Sequence, residues 1–209
     1  MSMSENNQGA IAPTSEKSYA EGLVNRQSAW WKKFFNVQLP YKWNIRQLNP
    51  GFVLDIGCGI GRNLLHLDGN GIGVDHNPVS VAICHERGLK AFTVDEFQAS
   101  SHYLPAHFDS ILLAHVAEHM TNEEFTGLLA TYLPLLKEGG KVIVITPQEY
   151  GYKTDDTHVE FTDFKKVAAV FSALSLQTLK QYSFPFPRFA GRLFQYNEFV
   201  SVGLKPYTG

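Results

Sequence analysis

Residues 53–63 read VLDIGCGIGRN: an apolar run, one acid, then glycines at positions 57, 59 and 61. A continuous apolar run such as FVLDI is the pattern of a strand buried on both faces of a parallel sheet. Three alternate glycines straight after it allow a tight turn and a close approach of bare backbone to a ligand. The helix that follows offers unpaired N–H groups at its start. In an open α/β sheet this is also where ligands bind, outside the carboxyl ends of the strands. Asp75 closes a second apolar run, GIGVD, twenty positions after Asp55 (75 − 55 = 20). An acid at that place can accept both hydroxyls of a ribose.

The rest of the chain alternates in the same way. GRNLLHL reads as a short helix, and Asn77-Pro78 starts a helix that Gly88 ends. LKAFTV is a third strand and FDSILLAHV a fourth. TNEEFTGLLATYLPLLK is a helix stopped by Gly139-Gly140, and KVIVIT is a fifth strand. A helix from Thr162 to about Leu174 precedes two closing strands, LQTLKQYSF and NEFVSVGLK. Strands alternating with helices predict an α/β, doubly wound, Rossmann-like sheet with helices on both faces. Ahead of it, residues 1–15 read as a disordered lead and 16–50 as a helical cap, with one helix before Pro40 and a second around YKWNIRQL. Residues 51–209 form the ligand-binding domain.

Composition narrows the function classes. The 209 residues carry a formal net charge of −2, which argues against a protein that coats nucleic acid or an anionic membrane. Two cysteines, Cys58 and Cys84, make no disulfide framework and suit a reducing compartment. MSMSENNQGAIAPTSEKS lacks the basic and apolar regions of a signal peptide, and no apolar run is long enough for a membrane span. A cytoplasmic protein is expected.

The dinucleotide fingerprint G-x-G-x-x-G would place a third glycine where this chain has Arg62. An acid ahead of the first glycine also disfavours a nearby phosphate and suits a ligand with a positive or hydrogen-bond-donating end. Adenosine carrying an amino acid fits better than NAD. Here the sequence resembles the class I S-adenosylmethionine-dependent methyltransferases of the small, type 11-like kind. VLDIGCGIGR matches the first motif, GVDHNP the second, VDEF the acid after strand three, FDSILLAHVAEHM the fourth and LLKEGGKVIVITP the fifth. The resemblance implies a seven-stranded sheet in the order 3-2-1-4-5-7-6 with the last strand antiparallel, and S-adenosylmethionine as cofactor. It implies that Asp55, Gly57, Gly59 and Gly61, with Cys58 and Asn63 in the same loop, surround the methionine moiety. Asp75 would hold the ribose, with His76 and Asn77 beside the adenosine. Asp95 or Glu96 would face the adenine amino group, and Ala114 and His115 would border the sulfonium.

HVAEH at 115–119 is the second unusual stretch, with His115, Glu118 and His119 at i, i+3 and i+4. DTHVEF brings His158 to the same edge of the sheet. A neutral imidazole of His115, His119 or His158 could be a general base. Alternatively His115, Glu118, His119 and His158 could ligate a divalent metal, as the related Glu-x-x-Glu-His stretch does in ubiquinone-pathway and small-RNA methyltransferases that this part resembles. The plain alternative is hydrogen bonding that orients the segment, and a metal is not the expected outcome. Arg188 and Arg192, set among Phe184, Phe186, Phe189 and Phe194, suit contact with an anionic or sugar-bearing acceptor. The expected reaction is methyl transfer to a hydroxyl of a small molecule or glycan, with no membrane or nucleic-acid partner. The alternatives are a methyltransferase of RNA or protein, and a cofactor-binding regulator without turnover.

Overall fold

The computed structural model describes residues 38–207. The sheet is built around β1 (Val53–Ile56), all four of whose residues are buried. β1 pairs in parallel with β2 (Gly71–Val74) on one side and β4 (Phe108–Ala114) on the other. The short β3 (Ala91–Phe92) adds beyond β2, and β5 (Leu136–Pro147) beyond β4. β7 (Glu198–Leu204) runs antiparallel between β5 and β6 (Gln177–Phe184), which completes the order 3-2-1-4-5-7-6.

Side chains alternate across this sheet, and each face builds its own core. Leu54, Ile56, Ile111, Leu113, Val142 and Val144 pack with α4 (Val94–Ala99), α5 (Asn122–Tyr132) and α7 (Phe164–Ala173) through Phe97, Phe125, Leu129, Val170 and Phe171. Val53, Leu112, Ile143, Ile145 and Val200 face the other way. There they meet Ile45 of α1, which is helical over residues 38–47, and Leu48 just beyond it. Between β1 and β2 lie α2 (Arg62–His66) and, after β2, α3 (Pro78–Glu86), which bury Leu64, Val81 and Cys84 together. A one-turn helix, α6 (Glu149–Tyr152), follows β5. No described helix is long and apolar enough to cross a membrane.

Expected boundaries shift at strand three and around α5, while α7 is capped by the neighbour of Thr162. Strand three stops at Phe92, because Thr93 caps α4: its side chain accepts the Glu96 N–H while Glu96 accepts the Thr93 N–H. α5 ends at Tyr132, before Pro134, and β5 begins at Leu136, so Gly139-Gly140 lie within the strand and do not stop the helix. The N-cap of α7 is Asp163, whose carboxylate accepts the N–H groups of Lys165 and Lys166. The disordered lead and the helix expected before Pro40 fall largely on residues 1–37, outside the described residues.

Candidate active site

The turn after β1 is shaped by backbone that only glycine tolerates well. Gly57 has φ 68° and Gly59 φ 53°. A Cβ on Gly57 would lie 2.5 Å from Cγ2 of Val116, whereas a Cβ on Gly59 would meet nothing within 4 Å. The loop is thus tied down on one side and open above Gly59. Cys58 points away from that opening, toward Gly73, where a Cβ would come within 2.5 Å of its sulfur. Contact with the Cys84 thiol, followed by burial, pushes the Cys58 thiol up, which suits a filler and not a nucleophile.

Two carboxylates flank the turn in different states. Asp75 directly follows β2 and is buried, and both its oxygens accept main-chain N–H groups: Oδ2 from Gly59 at 2.7 Å and Oδ1 from Asn77 at 2.9 Å. Asp55 is buried in β1, and neither oxygen completes a hydrogen bond among the described residues. Burial pushes its pKa up to about 7; Arg62 and the nearby Asn63 amide pull it down without offsetting that burial. An unpaired buried carboxylate is costly. It stands at the head of the glycine turn that opens above Gly59.

The end of β4 holds the second feature. His115 has φ 60°, a left-handed conformation that costs a non-glycine residue about 1–2 kcal/mol. Its N–H donates to Ile145 O at 2.9 Å. That twist sets the ring between two acids: Nε2 is 2.8 Å from Oε1 of Glu198, and Nδ1 is 3.2 Å from Oε1 of Glu118. The second contact is an ion pair without the alignment of a hydrogen bond, and both Glu118 oxygens are buried and otherwise unpartnered. Burial disfavours the charged ring, but the two carboxylates outweigh it and raise His115 to about 9. The ring is about a third exposed, so solvent moderates these interactions.

Of the four residues considered for a metal, Glu118, His119 and His158 bring one ligand atom each within 4.8 Å of one another. His115 adjoins that group only through Glu118, its two ring nitrogens lying against Glu118 and Glu198. His158 is steered by its Nδ1 contact with Tyr152 O at 2.7 Å and by stacking on the Tyr152 ring. His119 Nδ1 faces Thr157 O at 3.3 Å.

The remaining expected residues are spread along the same edge. Ala114 and Asn63 line a narrow cavity of about 20 Å³ together with His115. Asn77 caps α3 through its side chain, while His76 is almost fully exposed. Glu96 is engaged in the α4 capping box, which leaves Asp95, exposed beside it, as the free acid. Arg188 is committed to a bidentate pair with Glu149 and lies over the Phe199 ring, so it ties the 184–196 segment to β7. Sequence reasoning missed the cavity's other walls: Tyr41 and Asn44 from α1, Arg62 and His66 from α2, and Glu198 from β7. Arg62 alone carried a signal, since it replaces a glycine of the dinucleotide pattern.

Residues 29–183 match the family described as methyltransferase domain. The chain belongs to that family. Among curated relatives of this methyltransferase domain is an uncharacterized methyltransferase of Bacillus cytotoxicus, 32% identical over 114 residues, which are 51% of this chain and 54% of the relative. The chain thus spans about half the length of the curated relatives it matches. The fold is shared with a SAM-dependent methyltransferase from Archaeoglobus fulgidus at TM-score 0.60 and 19% identity, covering 79% of this chain and 93% of that one. It is shared also with magnesium protoporphyrin IX methyltransferase from Synechocystis, solved with bound SAM, at TM-score 0.58 and 11% identity, covering 93% and 99%.

Proposed function

We propose that this methyltransferase domain transfers a methyl group from S-adenosylmethionine to a hydroxyl oxygen of a small molecule or glycan. The observation that carries the cofactor assignment is Asp55: a buried carboxylate that completes no hydrogen bond among the described residues and whose burial Arg62 and Asn63 do not offset, beside a turn whose central glycine opens onto free space. S-adenosylmethionine has the ammonium group that such a carboxylate lacks. Asp55 would hold that ammonium, the Gly57–Gly61 backbone would line the methionine part, and Arg62 would face its carboxylate. Asp75 and Asp95 would serve the ribose and the adenine amino group. When bound, the cofactor supplies an electrophilic methyl carbon on a positively charged sulfur.

What remains for the protein is alignment and proton handling. The cavity over the ends of β4, β5 and β7 is lined by hydrogen-bonding groups, Tyr41, Asn44, Arg62, His66 and Glu198 among them. Such a wall suits one hydroxyl, which is as much as a cavity of about 20 Å³ admits. His115, flanked by two acids, is better suited to orient its neighbours than to be the base. Burial, then Arg62, Lys42 and Arg46, lower His66 to about 4, so it enters the cavity as a neutral ring.

One observation favours a second reading, in which a divalent ion assists. Glu118, His119 and His158 converge, and the Glu118 carboxylate is fully buried with no hydrogen bond among the described residues beyond its ion pair with His115. These three residues would hold the ion, whose contribution would be to acidify an acceptor hydroxyl. Thermal shift with Mn²⁺ and Zn²⁺ on the parent and on His119→Ala/His158→Ala distinguishes the two: stabilisation lost in the double variant supports the ion, and no shift in the parent removes it. The acceptor itself is found by incubating the protein with methyl-labelled S-adenosylmethionine and panels of hydroxylated metabolites, glycans, RNA and protein. Label appearing in RNA or protein instead would overturn the small-molecule and glycan assignment.

A further inference from the structure

The geometry points to Glu198 as the group that faces the transferring methyl and takes the acceptor's proton. The inference rests on the methyl-transfer reading and goes beyond it by naming the base. Glu198 is the first residue of β7 and is bonded in register to Pro147 at the end of β5 and Phe184 at the end of β6. Its side chain, 11% exposed, reaches the cavity that Ala114 and His115 close from β4. Oε1 is held by His115 Nε2, while Oε2 accepts no hydrogen bond among the described residues. One oxygen is therefore anchored and the other is left for a ligand.

The surroundings fix this carboxylate closely. Glu198 O accepts from Gln148 Nε2 at 2.9 Å, and Gln148 and the adjacent Asn197 are both fully buried. Asn197 Nδ2 donates to Gln148 Oε1 at 3.0 Å and to Ser183 Oγ at 2.9 Å. A Cβ on Gly191 would collide with the Gln148 amide, so the 188–192 turn clamps the same network. Reactive groups need such support from a rigid outer shell.

The neighbouring histidine cannot do this work. Both ring nitrogens of His115 face carboxylate oxygens, Nε2 against Glu198 and Nδ1 against Glu118, so neither is left free to take a proton from an acceptor. His115 is a positioning residue, with Glu118 behind it. In the step itself, the acceptor oxygen forms its bond to the methyl carbon, and the carbon–sulfur bond breaks with its electron pair staying on sulfur. The hydroxyl proton passes to Glu198 Oε2. Charge balances: a sulfonium and a carboxylate become a neutral thioether and a carboxylic acid.

Two cofactor analogues test this without an identified acceptor. S-adenosylhomocysteine lacks the methyl, whereas sinefungin carries a charged amine at the methyl's place. The parent should bind sinefungin at least about tenfold more tightly than S-adenosylhomocysteine. Glu198→Gln should erase at least about fivefold of that preference and leave S-adenosylhomocysteine affinity within about twofold. If the melting curve shows that Glu198→Gln does not fold, Glu198→Asp carries the test: it keeps the charge on a shorter arm, and sinefungin alone should weaken. An unchanged preference, no preference in the parent, or equal loss of both ligands overturns the assignment. A parent that binds neither analogue overturns the methyl-transfer reading as well.

Discussion

Gly59 and Asp75, sixteen residues apart, are joined by a 2.7 Å hydrogen bond from the glycine N–H to Oδ2. The acid expected at the ribose is thereby also the brace of the glycine turn. Its second oxygen holds Asn77, the cap of α3. Asp75→Ala should therefore lower stability as well as weaken cofactor binding. Hydrogen bonds to a charged acceptor contribute roughly 1.5–3 kcal/mol each. Urea unfolding of the ligand-free variant checks this, and a loss below about 0.5 kcal/mol would show that the turn stands without its brace.

Asp55 gives a pH signature. Its folded pKa, about 7, is raised from 3.8 by burial. The folded protein keeps that proton where the unfolded chain has lost it. This contribution to stability is present below pH 3.8 and is lost as pH rises to about 7. An arriving ammonium favours the ionised form, so cofactor binding at pH 6 should release a proton and at pH 8.5 should not. Calorimetry in buffers of different ionisation enthalpy reads this directly; buffer-independent heats at pH 6 would contradict it.

His115 has a consequence of the same sign at higher pH. Burial works against its charge, but Glu118 and Glu198 raise it from 6.5 to about 9. Its contribution is complete below pH 6.5 and is lost as pH rises through about 9. The stability gap between the parent and His115→Gln should be wide at pH 6.5 and narrow at pH 9.5. Chemical denaturation at the two pH values measures it, and a gap that does not change would mean the ring is uncharged in the fold.

Arg188 should matter for the 184–196 segment before it matters for any acceptor. Arg188→Ala breaks the pair with Glu149 and removes the cation from the Phe199 ring. Amide hydrogen exchange in that segment should rise without a change in cofactor affinity. Unchanged exchange would return Arg188 to the acceptor-contact role that its aromatic neighbours first suggest.

The strands and the glycine turn were legible because their signals are local: apolar runs for buried strands, and glycines where the backbone turns left-handed. The α4 helix was missed, although Thr93 and Glu96 carry the capping-box spacing, because VDEF reads as a strand end with its acid. The two acids illustrate the limit. A sequence shows that Asp55 and Asp75 end neighbouring strands, not that one is saturated with N–H groups and the other has none. Glu198 was out of reach for another reason. It lies 83 residues from His115, and only the antiparallel placement of β7 between β5 and β6 brings them to 2.8 Å.

Asp55 decides the account, because its removal should move stability and binding in opposite directions. The measurement is thermal melting of the parent and Asp55→Asn at pH 8, each with and without S-adenosylmethionine. Without ligand, Asp55→Asn should melt higher than the parent, since it deletes a buried charge whose desolvation Arg62 and Asn63 do not offset. With ligand, the parent should gain stability by mass action and the variant should gain little, its affinity reduced at least about tenfold. A variant that melts lower than the parent without ligand, yet is stabilised by S-adenosylmethionine as strongly as the parent, would show that Asp55 serves the fold and not the cofactor.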